Sequence, residues 1–371
     1  MNRFKKLVQL VLMLVLFNGL LLFIGWNVWE WLRISFGMNQ LFLYSFIYIL
    51  VSYSFVIGRL AKPLGFFSTI GSIWFGFFQY ALILIPIADI TILILKMTAA
   101  TISTATYMLV GLSVLILLAA IFGFGLFNAY SPVIRSFEIG VPKKQGNRRS
   151  LRIAVASDMH FGRLSGISHL KRLVEKIEGM KPDLILLPGD IIDDDPEPFI
   201  HKNMGAIMSE LNAPLGVFGV LGNHEYYGGQ IPQFIEQMKK INIRILMDEM
   251  VMIEDSFQLL GRKDKTDKGR KTFAELLSDR DNSYTIIAMD HQPSELKQAQ
   301  ENGVDVLMSG HTHRGQMAPN HLITKRMFEL DWGYLKKEQL HAFVSSGYGF
   351  WGPPIRLGSR SEILQIDLKF E

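Results

Sequence analysis

Four long apolar stretches in the first 130 residues constrain this chain more than any other sequence feature. They cover residues 7–28, 41–57, 66–95 and 102–127. A helix of about 20 apolar residues crosses the roughly 30 Å hydrocarbon core of a bilayer. We therefore predict a bundle of about four transmembrane α-helices over residues 1–130, with Pro86 as a candidate break in the third helix.

Charge is distributed very unevenly between this segment and the rest of the chain. Residues 1–130 carry seven Lys or Arg and two acidic residues, whereas residues 131–371 carry 31 basic and 32 acidic residues. The basic residues therefore flank the membrane helices, and no nucleic-acid partner is expected. Their bias toward alternate loops favours both termini in the cytoplasm. An extracytoplasmic location of residues beyond 130 is the alternative.

The composition changes again after residue 130. Residues 131–150 are rich in Pro, Gly and basic side chains and are predicted to be a juxtamembrane linker. From 151 to 371, short apolar runs alternate with amphipathic stretches, a pattern typical of an α/β domain with buried strands. A run of mixed charge at 264–271 is predicted to be a solvated loop.

Polar motifs follow five of the predicted strands. In chain order they are Asp158-Met159-His160, Gly189-Asp190, Gly222-Asn223-His224-Glu225, Asp290-His291 and Gly310-His311-Thr312-His313. Strand ends converge on one crevice in open α/β sheets. In the Asp-x-His and His-x-His motifs, an extended backbone would direct side chains two residues apart to the same site.

These side chains are suited to divalent metals. The chain has no cysteine, which excludes thiolate ligands and cysteine nucleophiles, and all nine histidines lie beyond residue 159. Carboxylate, imidazole and amide oxygen together fit a pair of ions such as Mn, Fe or Zn. Such a pair stabilises both the attacking and the leaving oxygen in phosphoryl displacement.

The ordered set of motifs resembles the calcineurin-like metallophosphoesterase family over about residues 150–371. The resemblance is strongest to its membrane-associated bacterial phosphodiesterases and transmembrane members, through residues 310–316 (GHTHRGQ) and 346–356 (SGYGFWGPPIR). It implies a four-layer α/β/β/α sandwich and a metal-dependent phosphoric ester hydrolase.

The resemblance also implies roles for individual residues. Asp190 would bridge two metal ions, a metal-bridging hydroxide would attack phosphorus, and His224 would protonate the leaving oxygen or stabilise the phosphoryl group. The first metal would be held by Asp158, His160 and His313, and the second by Asn223, His291 and His311.

Several side chains outside this set have two open interpretations. Arg314 and Arg163 are candidate contacts for substrate phosphate, or exposed charges. Asp193 and Asp194 either orient site residues or belong to a solvated acidic loop. Tyr348, Phe350 and Trp351 are either ordinary packing or an apolar surface for a lipid tail. The other four histidines (His169, His201, His321 and His341) are predicted to be surface or structural residues.

The leading functional hypothesis is a membrane-anchored dinuclear-metal phosphohydrolase. A phosphodiesterase or pyrophosphatase acting on a membrane-proximal phosphoester, such as a lipid-linked phosphate, fits the apolar helices best, with membrane lipids as further partners. The rivals are a membrane-bound nucleotide or cyclic-nucleotide hydrolase and a non-catalytic metal-binding scaffold. The native substrate, the metal identity and the oligomeric state stay open.

Overall fold

The computed structural model describes residues 3–60, 65–98, 101–143 and 148–371. The chain divides into two compact units, Met1–Phe124 and Gly125–Glu371. The sequence-based boundaries were 1–130, 131–150 and 151–371.

The first unit is helical. Its elements are α1 (Arg3–Phe36), α2 (Leu41–Ser52), α3 (Ser54–Leu60), α4 (Phe66–Thr98) and α5 (Thr104–Tyr130). The last turn of α5, from Gly125, belongs to the second unit. The prediction of an apolar helical segment is confirmed.

The number of spans differs in one respect from the prediction. Helices α1, α4 and α5 are each long and apolar enough to cross a membrane, and α4 runs through Pro86 without a break. The second apolar stretch instead forms α2 and α3, which are bent by 56° relative to each other. The described residues thus contain three candidate spans, or four if the bent pair crosses as one.

Small residues and polar tips pack these helices together. A Cβ added to Gly71 of α4 would lie 2.3 Å from the backbone nitrogen of Phe55, so only glycine permits this approach. The hydroxyls of Tyr44 and Tyr48 on α2 each donate to a backbone oxygen of α1, at 2.6 Å. Close glycine contacts and interhelical hydrogen bonds are the main means of helix association in membranes.

The second unit contains two six-stranded sheets. The first has the strand order β1-β12-β2-β3-β4-β5, and the second has the order β10-β11-β9-β8-β7-β6. The strands are β1 (Val133–Val141), β2 (Ser150–Val155), β3 (Leu184–Pro188), β4 (Val217–Val220), β5 (Ile243–Ile245), β6 (Glu249–Ile253), β7 (Phe257–Gly261), β8 (Thr285–Met289), β9 (Val306–Ser309), β10 (Gly333–Lys337), β11 (Leu340–Val344) and β12 (Glu362–Phe370).

Eight helices accompany these strands. They are α6 (Ile167–Met180), α7 (Glu197–His201), α8 (Met204–Met208), α9 (Asn223–Gly228), α10 (Ile231–Lys240), α11 (Phe273–Leu276), α12 (Leu296–Glu301) and α13 (His321–Met327). Helix α6 has the predicted amphipathic pattern, because Leu170, Leu173 and Ile177 recur at helical spacing and are all buried.

Three apolar cores define the layers. One core lies between the sheets and includes Ile153 of the first sheet and Ile287 of the second. A second core packs α6, α8 and α10 on the outer face of the first sheet, and a third packs α11 and α12 on the second sheet. The predicted α/β/β/α sandwich is therefore confirmed.

The segment predicted to be a linker contains a strand. Residues Val133–Val141 form β1, which pairs in parallel with β12 from Val133↔Glu362 to Val141↔Phe370. Its first six residues alternate between half-buried and exposed positions, as expected for an edge strand with one solvated face. The polar residues Arg135, Ser136 and Glu138 gave the segment its linker-like composition.

The solvated loop predicted at 264–271 is wrong in part. Asp264 is fully buried, and the side chain of Arg270 is 6% exposed. The Arg270 guanidinium pairs with Asp290, which also receives a hydrogen bond from Arg262 at 2.9 Å. Charges far apart in sequence thus neutralise one another in the interior. Their common partner, Asp290, directly precedes the predicted site residue His291 in the sequence.

Candidate metal centre

The five predicted motifs meet where strands of both sheets end. Asp158 and His160 follow β2, Asp190 follows β3, and Asn223 and His224 open α9 after β4; these strands belong to the first sheet. His291 follows β8, and His311 and His313 follow β9, in the second sheet. All eight residues are buried except His311, which is half-buried.

The extended geometry predicted for two of these motifs is wrong. Asp158 and His160 have φ values of 50° and 45°, and His311 and His313 have 72° and 48°. These residues occupy the left-handed region, which is costly for residues with a Cβ and is concentrated at functional sites. Tight turns, and not extended segments, bring each pair of side chains together.

One group of donors comprises Asp158, His160 and His313, whose ligand atoms all lie within 4.8 Å of one another. The Nε2 atoms of the two imidazoles are 3.1 Å apart, and His313 Nε2 lies 3.6 Å from Asp158 Oδ1. Asp158 Oδ2 is buried with no hydrogen-bond partner. A cation would satisfy this carboxylate oxygen, since buried polar atoms are normally paired.

A second group comprises Asp190, His291 and His311, again within 4.8 Å. The amide oxygen of Asn223 lies 2.8 Å from His311 Nδ1 and 3.2 Å from His291 Nε2. His291 Nδ1 donates to the carbonyl of Pro188 at 2.9 Å. That hydrogen bond leaves Nε2 free to act as a ligand, the usual arrangement of a metal-binding histidine.

Asp190 connects the two groups. Its Oδ2 lies 3.1 Å from His291 Nε2 and 3.8 Å from His160 Nε2. Its Oδ1 accepts the backbone N–H of His224 at 2.9 Å. The carboxylate is therefore fixed between the two sets of donors.

Burial and the charge of Asp190 shift the pKa values of the histidines in this pocket in opposite directions. Burial acts to lower the pKa of His291, but the charge of Asp190 and its hydrogen bond outweigh burial and raise that pKa well above its usual value. Burial raises the pKa of Asp158 to about 6. For His160 and His311, burial outweighs the charge of Asp190 and lowers the pKa to about 3 and about 4. The donor set and its geometry fit a pair of divalent cations.

His224 lies beside both groups, with its ring centroid 4.6 Å from that of His160. Its Nδ1 is 2.6 Å from Asp194 Oδ1 and 3.6 Å from Asp193 Oδ1. Burial acts to lower the pKa of His224, but the Asp194 hydrogen bond and the charges of Asp190, Asp194 and Asp193 raise it to about 9. Asp194 therefore orients a protonated imidazole.

Sequence reasoning overlooked Glu225, which directly follows His224. This buried carboxylate accepts the backbone N–H groups of Gly222 at 2.7 Å, Ile192 at 3.0 Å and Asp190 at 3.2 Å. It thereby joins the loop after β3 to the start of α9. The acidic fourth position of the Gly-Asn-His-Glu motif was the available signal.

Arg356 was also overlooked. Its guanidinium is fully buried and donates to the carbonyl of Gly349, and its Nη2 lies 3.2 Å from His313 Nδ1. Gly349 in turn donates its N–H to the carbonyl of Asp158 at 2.8 Å. The late segment 346–356 therefore contacts two members of the first donor group, Asp158 and His313.

The two predicted phosphate contacts lie in different surroundings. The Arg314 guanidinium stacks over the ring of Trp332, 4.0 Å from its centroid. Arg163 is exposed, and its backbone oxygen accepts a hydrogen bond from Lys202. Both substrate roles stay predictions.

The aromatic residues of the late segment separate into two kinds. Tyr348 and Phe350 are buried, whereas Trp351 is 57% exposed. The His224 ring lies 6.2 Å from the ring of Trp351 and 5.6 Å from the exposed ring of Tyr227. Two of the predicted aromatic residues thus pack inside, and one faces solvent beside the site.

Comparisons with known proteins identify the family of this chain. The family model of calcineurin-like phosphoesterases matches residues 151–315. An uncharacterized metallophosphoesterase of Campylobacter jejuni is 31% identical over 245 residues, covering 64% of each chain. One from Aquifex aeolicus is 32% identical over 226 residues, covering 59% of this chain and 85% of its own. The chain belongs to the calcineurin-like metallophosphoesterase family.

Two further proteins extend the comparison. A Danio rerio protein named transmembrane protein with metallophosphoesterase domain is 29% identical over 271 residues, covering 69% of this chain and 62% of its own. The solved structure of a dimetal phosphatase from Danio rerio is 12% identical, with a TM-score of 0.36, and covers 54% of this chain and 88% of its own. The chain thus spans less than two thirds of the Campylobacter and the transmembrane Danio relatives.

Replacing Gly310 with alanine should disturb the first donor group. A Cβ there would lie 2.1 Å from Asp158 Oδ2, so the carboxylate must move. We expect Gly310→Ala to weaken metal binding by about 10- to 100-fold, measured by chelator competition and elemental analysis. Gly179→Ala on α6 is the matched control, because nothing lies within 4 Å of its added Cβ. Equal metal affinities in the two variants would show that Gly310 is not needed to position the Asp158 carboxylate.

Replacing Glu225 with glutamine should loosen the loop that carries Asp190. The new amide would direct N–H groups at backbone N–H donors, at a cost of about 1–3 kcal/mol for each donor left unpaired. We expect Glu225→Gln to lower both the melting temperature and the metal content. Glu210→Gln, at an exposed position, should change neither. Wild-type metal content in Glu225→Gln would show that the three hydrogen bonds do not position the site.

Proposed function

We propose that this chain is a membrane-anchored, dinuclear-metal phosphohydrolase that acts on a phosphodiester or pyrophosphate. The observation that carries the proposal is the pair of donor groups sharing Asp190, with His224 beside them. Two divalent ions held there would polarise a phosphoryl group and lower the pKa of water. The first would be held by Asp158, His160 and His313, and the second by Asn223, His291 and His311, with Asp190 between them.

His224 would supply the proton that the leaving oxygen requires. Its Nδ1 is occupied by Asp194, which leaves Nε2 to face the reacting group. A protonated imidazole in this position can stabilise phosphoryl oxygens and then donate to the leaving oxygen as a general acid. Such a residue typically accelerates a reaction by about 10²- to 10⁴-fold.

Exposed aromatic rings support a substrate larger than inorganic phosphate. Trp351 and Tyr227 are 57% and 63% exposed, and both flank His224. Rings in such positions offer apolar faces to a group esterified to the phosphate. An acyl or isoprenyl chain and a nucleobase would both stack there, so a nucleotide hydrolase is the second candidate.

Membrane anchoring favours the lipid-linked substrate. Three helices among the described residues are long and apolar enough to span a bilayer, and relatives from Danio rerio and Bos taurus are named transmembrane proteins. A phosphoester embedded in the same membrane would be held at high local concentration near the site. The charge bias of the loops supports a cytoplasmic catalytic unit, which fusion of GFP or alkaline phosphatase to the C-terminus would test.

Hydrolysis of bis-p-nitrophenyl phosphate by the purified full chain tests the enzymatic proposal. We expect turnover with Mn²⁺ and none after chelation. Asp190→Asn should lose metal and activity together, whereas His224→Ala should keep its metal and lose about 10²- to 10⁴-fold in kcat. Binding of two metals without turnover of diesters, monoesters or pyrophosphate would favour the scaffold and overturn the enzyme.

Trp351→Ala tests the aromatic contact. Stacking on one ring contributes about 1–3 kcal/mol, so KM for an aromatic diester should rise by about tenfold or more. The KM of a small substrate such as methyl phosphate esters should change little, and kcat should be preserved because Gln316 holds the Trp351 backbone through its N–H and carbonyl. Trp351→Phe is the matched control and should retain most of the affinity. An equal rise for both substrates would contradict a specific ring contact.

A further inference from the structure

A cavity of about 400 Å³ lies in the second unit at the N-terminus of α6. Its walls come from the last residue of α5, the loop before α6, the first turns of α6 and the segment after α7. None of its lining residues is a candidate metal donor. The residues that matter for its chemistry are Tyr130, Gly166, Ser168, His169, Arg172 and Lys202.

The helix end provides unpaired backbone donors. The first N–H groups of an α-helix have no intrahelical acceptor, and together with the helix dipole they attract anions. Helix α6 is 14 residues long, and its N-cap residue, Gly166, has no side chain to accept these hydrogen bonds. The cavity is therefore bordered by donors that a bound oxyanion would satisfy.

Two cationic side chains strengthen this preference. Arg172 Nη1 donates to the carbonyl of Tyr130 at 2.6 Å, and Lys202 Nζ donates to the carbonyls of Gly162 and Arg163. Both are held by uncharged oxygens, and neither forms a salt bridge with a described carboxylate. Each can therefore direct its remaining N–H groups at an anion.

His169 adds an unpaired hydrogen-bond acceptor to this region. Its side chain is buried, with the residue 2% exposed, and its Nε2 donates to the carbonyl of Tyr348 at 3.2 Å. Burial lowers the pKa of this imidazole to about 4, so Nδ1 carries a lone pair at neutral pH. This Nδ1 is buried without a hydrogen-bond partner. Because this atom is shielded from solvent, an occupant of the cavity reaches it only after the side chains around the imidazole shift, and it must then bring a hydrogen-bond donor as well as negative charge.

Tyr130 places the cavity at the end of a candidate membrane span. It is the last residue of α5, and its ring packs edge-on against His169 at 5.5 Å between centroids. A span that ends at this residue brings it to the level of lipid headgroups.

We propose that this cavity binds a phosphate ester carrying a neighbouring hydroxyl group, which is the chemistry of a glycerol-phosphate headgroup. The phosphate contacts the N-terminus of α6, Arg172 and Lys202, and the hydroxyl donates to His169 Nδ1. This site is separate from the metal centre and does not depend on the hydrolytic activity.

Lipid binding to the full chain in neutral detergent, followed by native mass spectrometry, tests the proposal. We expect phosphatidylglycerol to bind at least tenfold more tightly than phosphatidylcholine. Ser168→Asp, which places a carboxylate at the helix N-terminus without disfavouring the helix, should reduce phosphatidylglycerol binding by about tenfold. Arg172→Gln should do the same, whereas Lys171→Gln, an exposed neighbour on α6, should bind like the wild type.

Soluble probes distinguish the source of the phosphate. Glycerol 1-phosphate that displaces phosphatidylglycerol supports the headgroup assignment, and glycerol 1-phosphate binding without any phosphatidylglycerol preference supports a soluble polyol phosphate in the same cavity. Inorganic phosphate that binds as tightly as glycerol 1-phosphate would overturn the role of His169. Unchanged phosphatidylglycerol binding in both Ser168→Asp and Arg172→Gln would overturn the site.

Discussion

The buried carboxylate of Asp190 is the group on which the rest of the candidate metal centre depends. It is 2% exposed, and an isolated charge at that depth would be strongly unfavourable. Donors from both sheets offset this cost, because the backbone N–H of His224 comes from the first sheet and the His291 imidazole comes from the second. The face-to-face packing of the two sheets thus brings the partners of this carboxylate together. The carboxylate in turn links the loop after β4 to the loop after β8.

Backbone strain is concentrated around this carboxylate. Five of the seven candidate ligands have positive φ values, namely Asp158, His160, Asp190, His311 and His313. Each costs on the order of 1–3 kcal/mol and persists only where its surroundings enforce it. The three apolar cores of the sandwich provide that enforcement. Glu225 also accepts the backbone N–H of Asp190, and Arg356 contacts the His313 imidazole.

The sequence was most informative where a polar motif directly follows an apolar run. The strand ends before Asp158, Asp190 and His291 could be located because buried strands appear as continuous apolar segments. Strand β1 was hidden because Arg135, Ser136 and Glu138 interrupt its apolar residues. The bend between α2 and α3 has no Pro or Gly to mark it. Arg356 and Glu225 carry no catalytic signature of their own, because their importance lies in contacts between distant segments.

Strand β12 lies between β1 and β2, pairing in parallel with the first and antiparallel with the second. Within the described residues, the first two strands of the second unit are therefore hydrogen-bonded into one sheet through the nine-residue strand β12. During synthesis the apolar helices emerge from the ribosome first, whereas the sheet remains divided until residues 362–370 have emerged. The apolar helices are therefore synthesised before the candidate metal centre can assemble, and a chain without residues 362–371 would leave the facing edges of β1 and β2 unpaired.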